Sequence, residues 1–258
     1  MKMTRPNSIA QDCIVPDDAI VEVGVSIGER VVLAGSRITI RERAKIEAAA
    51  VIGEGVTIGQ GAVVRPGAVV LRSIPANSIV EGNPAQVVGY ARSSVREEAD
   101  APRHVDINSF SDIPRPGRIS LGVDDSALYL MRRVTDARGA LTVGEVPSEV
   151  PFAPARYFAV FDVPSVELRG EHAHKQCQQF LICLNGTCRV LLDNGEERCE
   201  VTLDRPEMGV FMPNMIWGTQ YRYSRDAVLL VFASHTYDPD DYIRDYDEFI
   251  LERKRLLK

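Results

Sequence analysis

Ile52-Gly53-Glu54-Gly55-Val56-Thr57 followed by Ile58-Gly59-Gln60-Gly61-Ala62-Val63 is one six-residue unit written twice, an aliphatic residue and then small or turn-forming ones. Extended in both directions, the same beat places Val15, Val21, Ile27 and Leu33. It slips by one residue and resumes at Ile40, Ile46, Ile52, Ile58, Val64 and Val70. A period of six matches neither the 3.6 nor the 3.5 residues of helical patterns, and glycine recurs too often for a helix interior. Three units close one triangular coil of a parallel β-helix, each aliphatic side chain stacking on its equivalent in the next coil while glycines permit the corners. The ten units therefore make slightly more than three coils.

With its tail Ile79-Val80-Glu81-Gly82-Asn83-Pro84-Ala85, the repeat resembles the left-handed β-helix of hexapeptide-repeat acyltransferases. That resemblance implies a trimer, acetyl-CoA between neighbouring coils, and a histidine base near a loop that interrupts the coils. Here no histidine precedes His104 and the repeat runs without an extended loop. Residues 1–90 are therefore expected to be a trimerising scaffold, without acetyl-CoA as a ligand. Asn83 and Pro84 read as the turn that ends the stack.

Thirty basic against 36 acidic residues leave a net charge of -6, with no dense Lys/Arg cluster, which argues against a nucleic-acid surface. The five cysteines form no CxxC pair, and no signal peptide or long apolar span is visible. A cytoplasmic protein with no membrane contact is expected. Residues 91–106, with Ser93, Ser94, a charge run from Arg96 to Asp100 and then Pro102, read as a linker between two domains.

From residue 107 to 258 the texture changes to short alternating strands. Examples are Ser120–Val123, Tyr157–Phe161, Gln179–Leu184, Cys188–Leu192 and Val228–Phe232, with turn signals at Asn185-Gly186 and Asn194-Gly195. This is the pattern of an antiparallel sandwich or barrel. Only Asp241 to Lys258 reads as helical, through the stripe Tyr242, Ile243, Tyr246, Phe249, Ile250 and Leu251. The whole chain is thus expected to be all-β, a β-helix followed by a jelly-roll barrel with a C-terminal helix.

Two of the four histidines, His172 and His174, are one residue apart in Arg169-Gly170-Glu171-His172-Ala173-His174-Lys175. On a strand they share a face, so the pair is either a metal chelate or a proton relay. The run resembles the first motif of the cupin barrel. The glutamate of that motif is replaced by Gln179, a poor ligand for a hard or borderline cation. The stretch resembling the second motif, Gly209 to Gly218, contains no histidine. Two imidazoles alone seldom hold a metal firmly, so no metal and no cofactor are expected, and a proton shuttle is favoured.

Residues 107–258 further resemble the nucleotide-sugar 3,4-ketoisomerases, cupins that convert dTDP-4-keto-6-deoxyglucose to its 3-keto isomer on the way to 3-acetamido sugars of surface polysaccharide. The resemblance rests on Asp136-Ala137-Arg138-Gly139, on Arg169–Lys175, on Asn185–Val190, on Pro213-Asn214-Met215-Ile216-Trp217 and on Tyr242–Asp247. It implies a dTDP-linked keto sugar as substrate. His174 then takes and returns the carbon proton and His172 moves the proton between oxygens, while Arg169 or Arg138 holds the diphosphate. Tyr157 either bonds the sugar and its enediolate or packs in the core. Gln179 orients a histidine or a sugar hydroxyl, and Trp217 lines the thymine or sugar pocket or simply packs. A nucleotide-sugar 3,5-epimerase and a sugar N-acyltransferase with a sugar-binding cupin are the competing expectations. Cupins also often dimerise, so dimers through the barrel stand beside trimers through the β-helix.

Overall fold

The computed structural model describes residues 7–91, 103–110, 112–163 and 168–256. The chain divides into two units, Met1–Pro102 and Arg103–Lys258. In the first, two-residue strands recur through the repeat, and in each from Ser26–Ile27 to Val69–Val70 the second residue is buried. They stack in parallel into three sheets, with Leu33 against Ile52 and Ile52 against Val70, Ile40 against Ile58, and Ile46 against Val64. The core is therefore a set of aliphatic columns, each full burial contributing roughly 2 kcal/mol relative to exposure.

The one-residue slip is absorbed as one extra residue in a coil, since Val21 pairs with Ile40 while Ile40 pairs with Ile58. Glycine is not needed at every corner. Arg43 and Ala49 turn with φ of 60° and 58°, and the cost of that left-handed backbone is offset by intercoil bonds from Arg43 N to Val23 O and from Ala49 N to Glu29 O. The stack ends where Ser78–Glu81 pairs in parallel with Val63–Val64 and then antiparallel with Gln86–Tyr90, the chain reversing through the expected turn at Asn83 and Pro84.

The second unit is a barrel of two six-stranded sheets, antiparallel throughout except for the strand Arg103–Val105. One runs in the order Arg103–Val105, Arg198–Leu203, Cys188–Asp193, Trp217–Tyr221, Arg169–His174 and Tyr242–Ile243. The other runs Gly117–Ser120, Ala127–Leu130, Met208–Met212, Gln179–Asn185, Val228–Ala233 and Arg156–Phe161. Val190, Leu192 and Val201 from the first meet Leu181, Val210, Leu229 and Val231 from the second in one apolar core. A two-stranded arm, Arg132–Asp136 with Gly139–Val143, completes the unit. Among the described residues no helix is long and apolar enough to cross a membrane.

Three local expectations change. Arg103–Val105, inside the expected linker, is a strand added in parallel to Cys199–Val201, with Val105 buried in the barrel core; residues 92–102 lie outside those described. The expected strand Ser120–Val123 ends at Ser120, where the chain turns into Asp124 with φ of 47°. The helix spans Tyr246–Leu256 rather than starting at Asp241, because Asp245 caps it, its carboxylate accepting from Glu248 N at 2.9 Å. Upstream of that cap, Tyr242–Ile243 instead pairs with Ala173–His174.

Candidate active site

The strand Arg169–His174 carries a bulge. Its register against Gly218–Gln220 shifts between Gly170 and His172, with Gly170 at φ 79° and Glu171 at φ 54°. A Cβ on Gly170 would stand 2.5 Å from the Gly218 carbonyl, so only glycine lets the strand cross its neighbour here. Beyond the bulge the alternation resumes, and His172 and His174 come to one face with ring centroids 4.9 Å apart, edge to face. Tyr242 stacks on both, 4.9 Å from His172 and 4.3 Å from His174.

The proton positions follow from the partners. His172 Nδ1 lies 2.8 Å from the Gly170 carbonyl, which can only accept, so Nδ1 carries the hydrogen and Nε2 holds the lone pair. His174 Nδ1 lies 2.7 Å from the Asp241 carboxylate, which fixes the same tautomer. His174 Nε2 accepts from the Gln179 amide at 3.0 Å. Burial pushes the His172 imidazole down to about 4, against a weaker opposing pull from the Gly170 carbonyl. Burial also lowers His174, outweighing the hydrogen bond to Asp241. Burial would raise Asp241, but bonds from His174 and from the Gln176 and Cys177 amides prevail and hold it below the usual carboxylate value. At neutral pH the constellation is two neutral imidazoles beside one carboxylate, both with the lone pair on Nε2, that of His174 being occupied by the Gln179 amide.

The expected residues sort into two groups. His172, His174 and Gln179 converge as described. Arg169 sits on the same strand, exposed, opposite Gln220. Tyr157 does not join them. It is 72% exposed on the outer side of its strand, while its neighbour Arg156 points inward and donates to the Tyr242 hydroxyl at 3.3 Å. Arg138 is 90% exposed at the tip of the two-stranded arm, ion-paired with Asp136 at 2.6 Å. Trp217 packs edge-on against Tyr246 at 5.2 Å and against Phe249 at 5.6 Å beneath the C-terminal helix.

Sequence reading missed Asp241, Tyr242, Arg156 and Arg244. The Arg156 Nε is buried without a hydrogen-bond partner, and the Arg244 guanidinium lies 4.3 Å over the Tyr242 ring. Asp241 and Tyr242 sit in a run with helical apolar spacing, although Tyr242–Ile243 is a strand. Arg156 adjoins Tyr157, and sequence alternation alone does not tell which of the two faces the histidines.

Comparison with known proteins bears on this geometry. Residues 124–254 match the FdtA family (WxcM-like, C-terminal), and residues 37–72 match bacterial transferase hexapeptide repeats. A TDP-4-oxo-6-deoxy-α-D-glucose-3,4-oxoisomerase from Aneurinibacillus thermoaerophilus is 43% identical over 118 residues, 46% of this chain and 85% of that protein. QdtA, a sugar 3,4-ketoisomerase from Thermoanaerobacterium thermosaccharolyticum solved with TDP, is 34% identical with a TM-score of 0.51, covering 53% of this chain and 99% of its own. A 3,4-ketoisomerase from Helicobacter canadensis is 35% identical with a TM-score of 0.49, covering 50% and 98%.

Proposed function

Because the chain belongs to the FdtA family of WxcM-like C-terminal domains, we propose that it is a dTDP-4-keto-6-deoxyhexose 3,4-ketoisomerase that works without metal, supplying 3-keto sugars for 3-amino and 3-acetamido deoxysugars of surface polysaccharide. One observation carries the reading: two imidazoles 4.9 Å apart on one face, each with its Nδ1 hydrogen tied to an acceptor and its Nε2 lone pair free of a proton. Moving a carbonyl from C4 to C3 needs just such a pair. His174 Nε2 takes the proton from C3, giving an enediol, and returns a proton to C4. His172 carries the hydroxyl proton from O3 to O4. Asp241 supports the positive charge that forms transiently on His174 and fixes its tautomer. Gln179, whose amide occupies that lone pair, must first release it to the substrate's C3 hydrogen, and once His174 is protonated the turned-over side chain offers its carbonyl to the Nε2 hydrogen.

Charge on the enediolate needs donors aimed at it. Arg156 and the Tyr242 hydroxyl it donates to are better placed for this than Tyr157, and they take that role in this reading. Arg244 and Arg169, both exposed beside the site, suit the diphosphate, a role for which Arg138 would need help from another chain. Among the described residues the strand Arg156–Phe161 is an edge of its sheet and presents Tyr157, 72% exposed, and Phe161, 60% exposed, to solvent. Such an edge invites a second copy, and we assign it to a barrel dimer, with the repeat domain as a separate trimerising scaffold. Five free cysteines and a nucleotide-linked substrate fit the cytoplasm.

The test is incubation of the purified protein with dTDP-4-keto-6-deoxyglucose in D2O, followed by NMR. The reading expects a 3-keto product with deuterium at C4. Inversion at C5 would instead point to epimerase chemistry, and CoA release with a 3-amino sugar would assign the repeat domain an acyltransferase role.

A further inference from the structure

We propose that His174, Cys177 and Asp241 form a binding site for a thiophilic divalent cation such as Zn2+, and that occupancy switches the proton shuttle off. One imidazole nitrogen, the Sγ and a carboxylate oxygen of these residues lie within 4.8 Å of one another, and Nδ1 is the imidazole nitrogen that meets Asp241, at 2.7 Å. His174 and Cys177 are 3% and 2% exposed, so the site is desolvated before any ion arrives. The carboxylate is held in place by the Gln176 and Cys177 backbone amides at 2.7 and 3.3 Å, which leaves the thiol, now donating to the Gln178 carbonyl at 3.4 Å, to turn in. Around a tetrahedral zinc ion, ligand atoms sit roughly 3.3–3.8 Å apart, so loading replaces the 2.7 Å Nδ1–carboxylate hydrogen bond by a slightly wider pair, brings the thiol in, and leaves a fourth position for water. One nitrogen, one thiolate and one carboxylate is a donor set that borderline and soft divalent ions favour over Mg2+ or Ca2+.

This ligand set differs from the metal site of other cupin barrels. It uses the Nδ1 edge of His174, the edge that faces Asp241, and needs neither His172 nor the position held by Gln179. A cleft of about 240 Å³ reaches Asp241 from outside, lined by Lys175, Gln176, His235, Asp238 and Asp240 among others. Its three carboxylates, Asp238, Asp240 and Asp241, concentrate cations at the mouth.

The consequence for chemistry follows from proton balance. Binding releases the Cys177 thiol proton to solvent and replaces the His174 Nδ1 hydrogen with the metal, so that hydrogen moves to Nε2. An Nε2–H has no lone pair to accept the C3 proton, and the base is lost without the substrate pocket being filled. The effect on turnover rests on the ketoisomerase reading, whereas the binding itself does not.

Adding Co2+ to the full-length protein tests the binding alone. One equivalent is expected to give a near-ultraviolet thiolate-to-cobalt charge-transfer band, and Cys177→Ser is expected to lose that band and weaken binding by about 100-fold or more. In turnover assays Zn2+ is expected to lower kcat of the wild type with little change in KM, reversibly on adding EDTA, while Cys177→Ser resists the same Zn2+. Cobalt binding without the band, or an undiminished band in Cys177→Ser, overturns the site. Equal Zn2+ inhibition of wild type and variant overturns the switch. A band in a protein with no ketoisomerase activity leaves the site standing and sinks the functional reading instead.

Discussion

Asp241 and His174, 67 residues apart in sequence, meet at 2.7 Å through the carboxylate and Nδ1. The contact exists because Tyr242–Ile243 pairs with Ala173–His174, which seats the preceding aspartate beside the imidazole. A carboxylate there decides which nitrogen is the base. Asp241→Asn keeps the shape, removes the charge that supports an imidazolium, and permits the other tautomer. We expect kcat to fall by about 100-fold or more with KM changed little, as measured by steady-state turnover of the keto sugar. An unchanged kcat would show that Asp241 is structural only.

Acid should damage stability before it damages the base. With His172 pushed down to about 4 in the folded protein against about 6.5 unfolded, the unfolded chain binds the extra proton first as pH falls. The stability that neutral His172 contributes is therefore complete above pH 6.5 and is lost between 6.5 and 4, on the order of 3 kcal/mol. Denaturant unfolding at pH 7 and pH 4.5 should show a smaller pH-dependent loss in His172→Gln than in the wild type. kcat/KM, which needs neutral imidazoles, should hold on the acid side well below pH 6.5.

Gln179 is the position where a charge would do most harm. Its amide meets His174 Nε2 at 3.0 Å in a buried site. Gln179→Glu puts a carboxylate there, and an opposite charge at that distance favours the protonated ring, raising its pKa. The acid limb of the kcat/KM profile should move up toward neutral pH, and activity at pH 7 should drop by roughly tenfold while recovering at pH 8.5. A profile of unchanged shape with uniformly lower activity would mean that Gln179 serves packing alone.

The repeat domain was legible because its signal is carried by spacing. Each column position from Ile27 to Val70 is buried where the period of six put it. The histidine pair was legible for the same reason, since alternation on a strand needs no knowledge of partners. What stayed hidden depends on distant pairing. Asp241 and Tyr242 lie in a run whose apolar spacing suits a helix, and only the ladder to Ala173 and His174 makes them a strand. Arg156 and Tyr157 were indistinguishable until the facing of an edge strand, bonded on one side to Val228–Ala233, was known. The Arg103–Val105 strand was hidden by its polar composition, because two of its three side chains face water.

Trp217 offers a direct check on which side of the sheet the nucleotide binds. It clusters with Phe249, Tyr246, Met215 and Ile243 between the strand Trp217–Tyr221 and the C-terminal helix, whereas Gly218, next along the strand, pairs with His172. Adjacent residues on a strand face opposite ways, so the indole reports the helix contact and not the pocket. Being the only tryptophan, it supplies the whole indole emission. Saturating dTDP should leave that emission unshifted, while unfolding of the helix shifts it to the red. Trp217→Leu should lower the melting temperature by several degrees, the result of losing roughly 2 kcal/mol of aromatic packing, with KM for the nucleotide sugar unchanged. Strong quenching by dTDP, or a large rise in KM, would move the thymine pocket to the helix side.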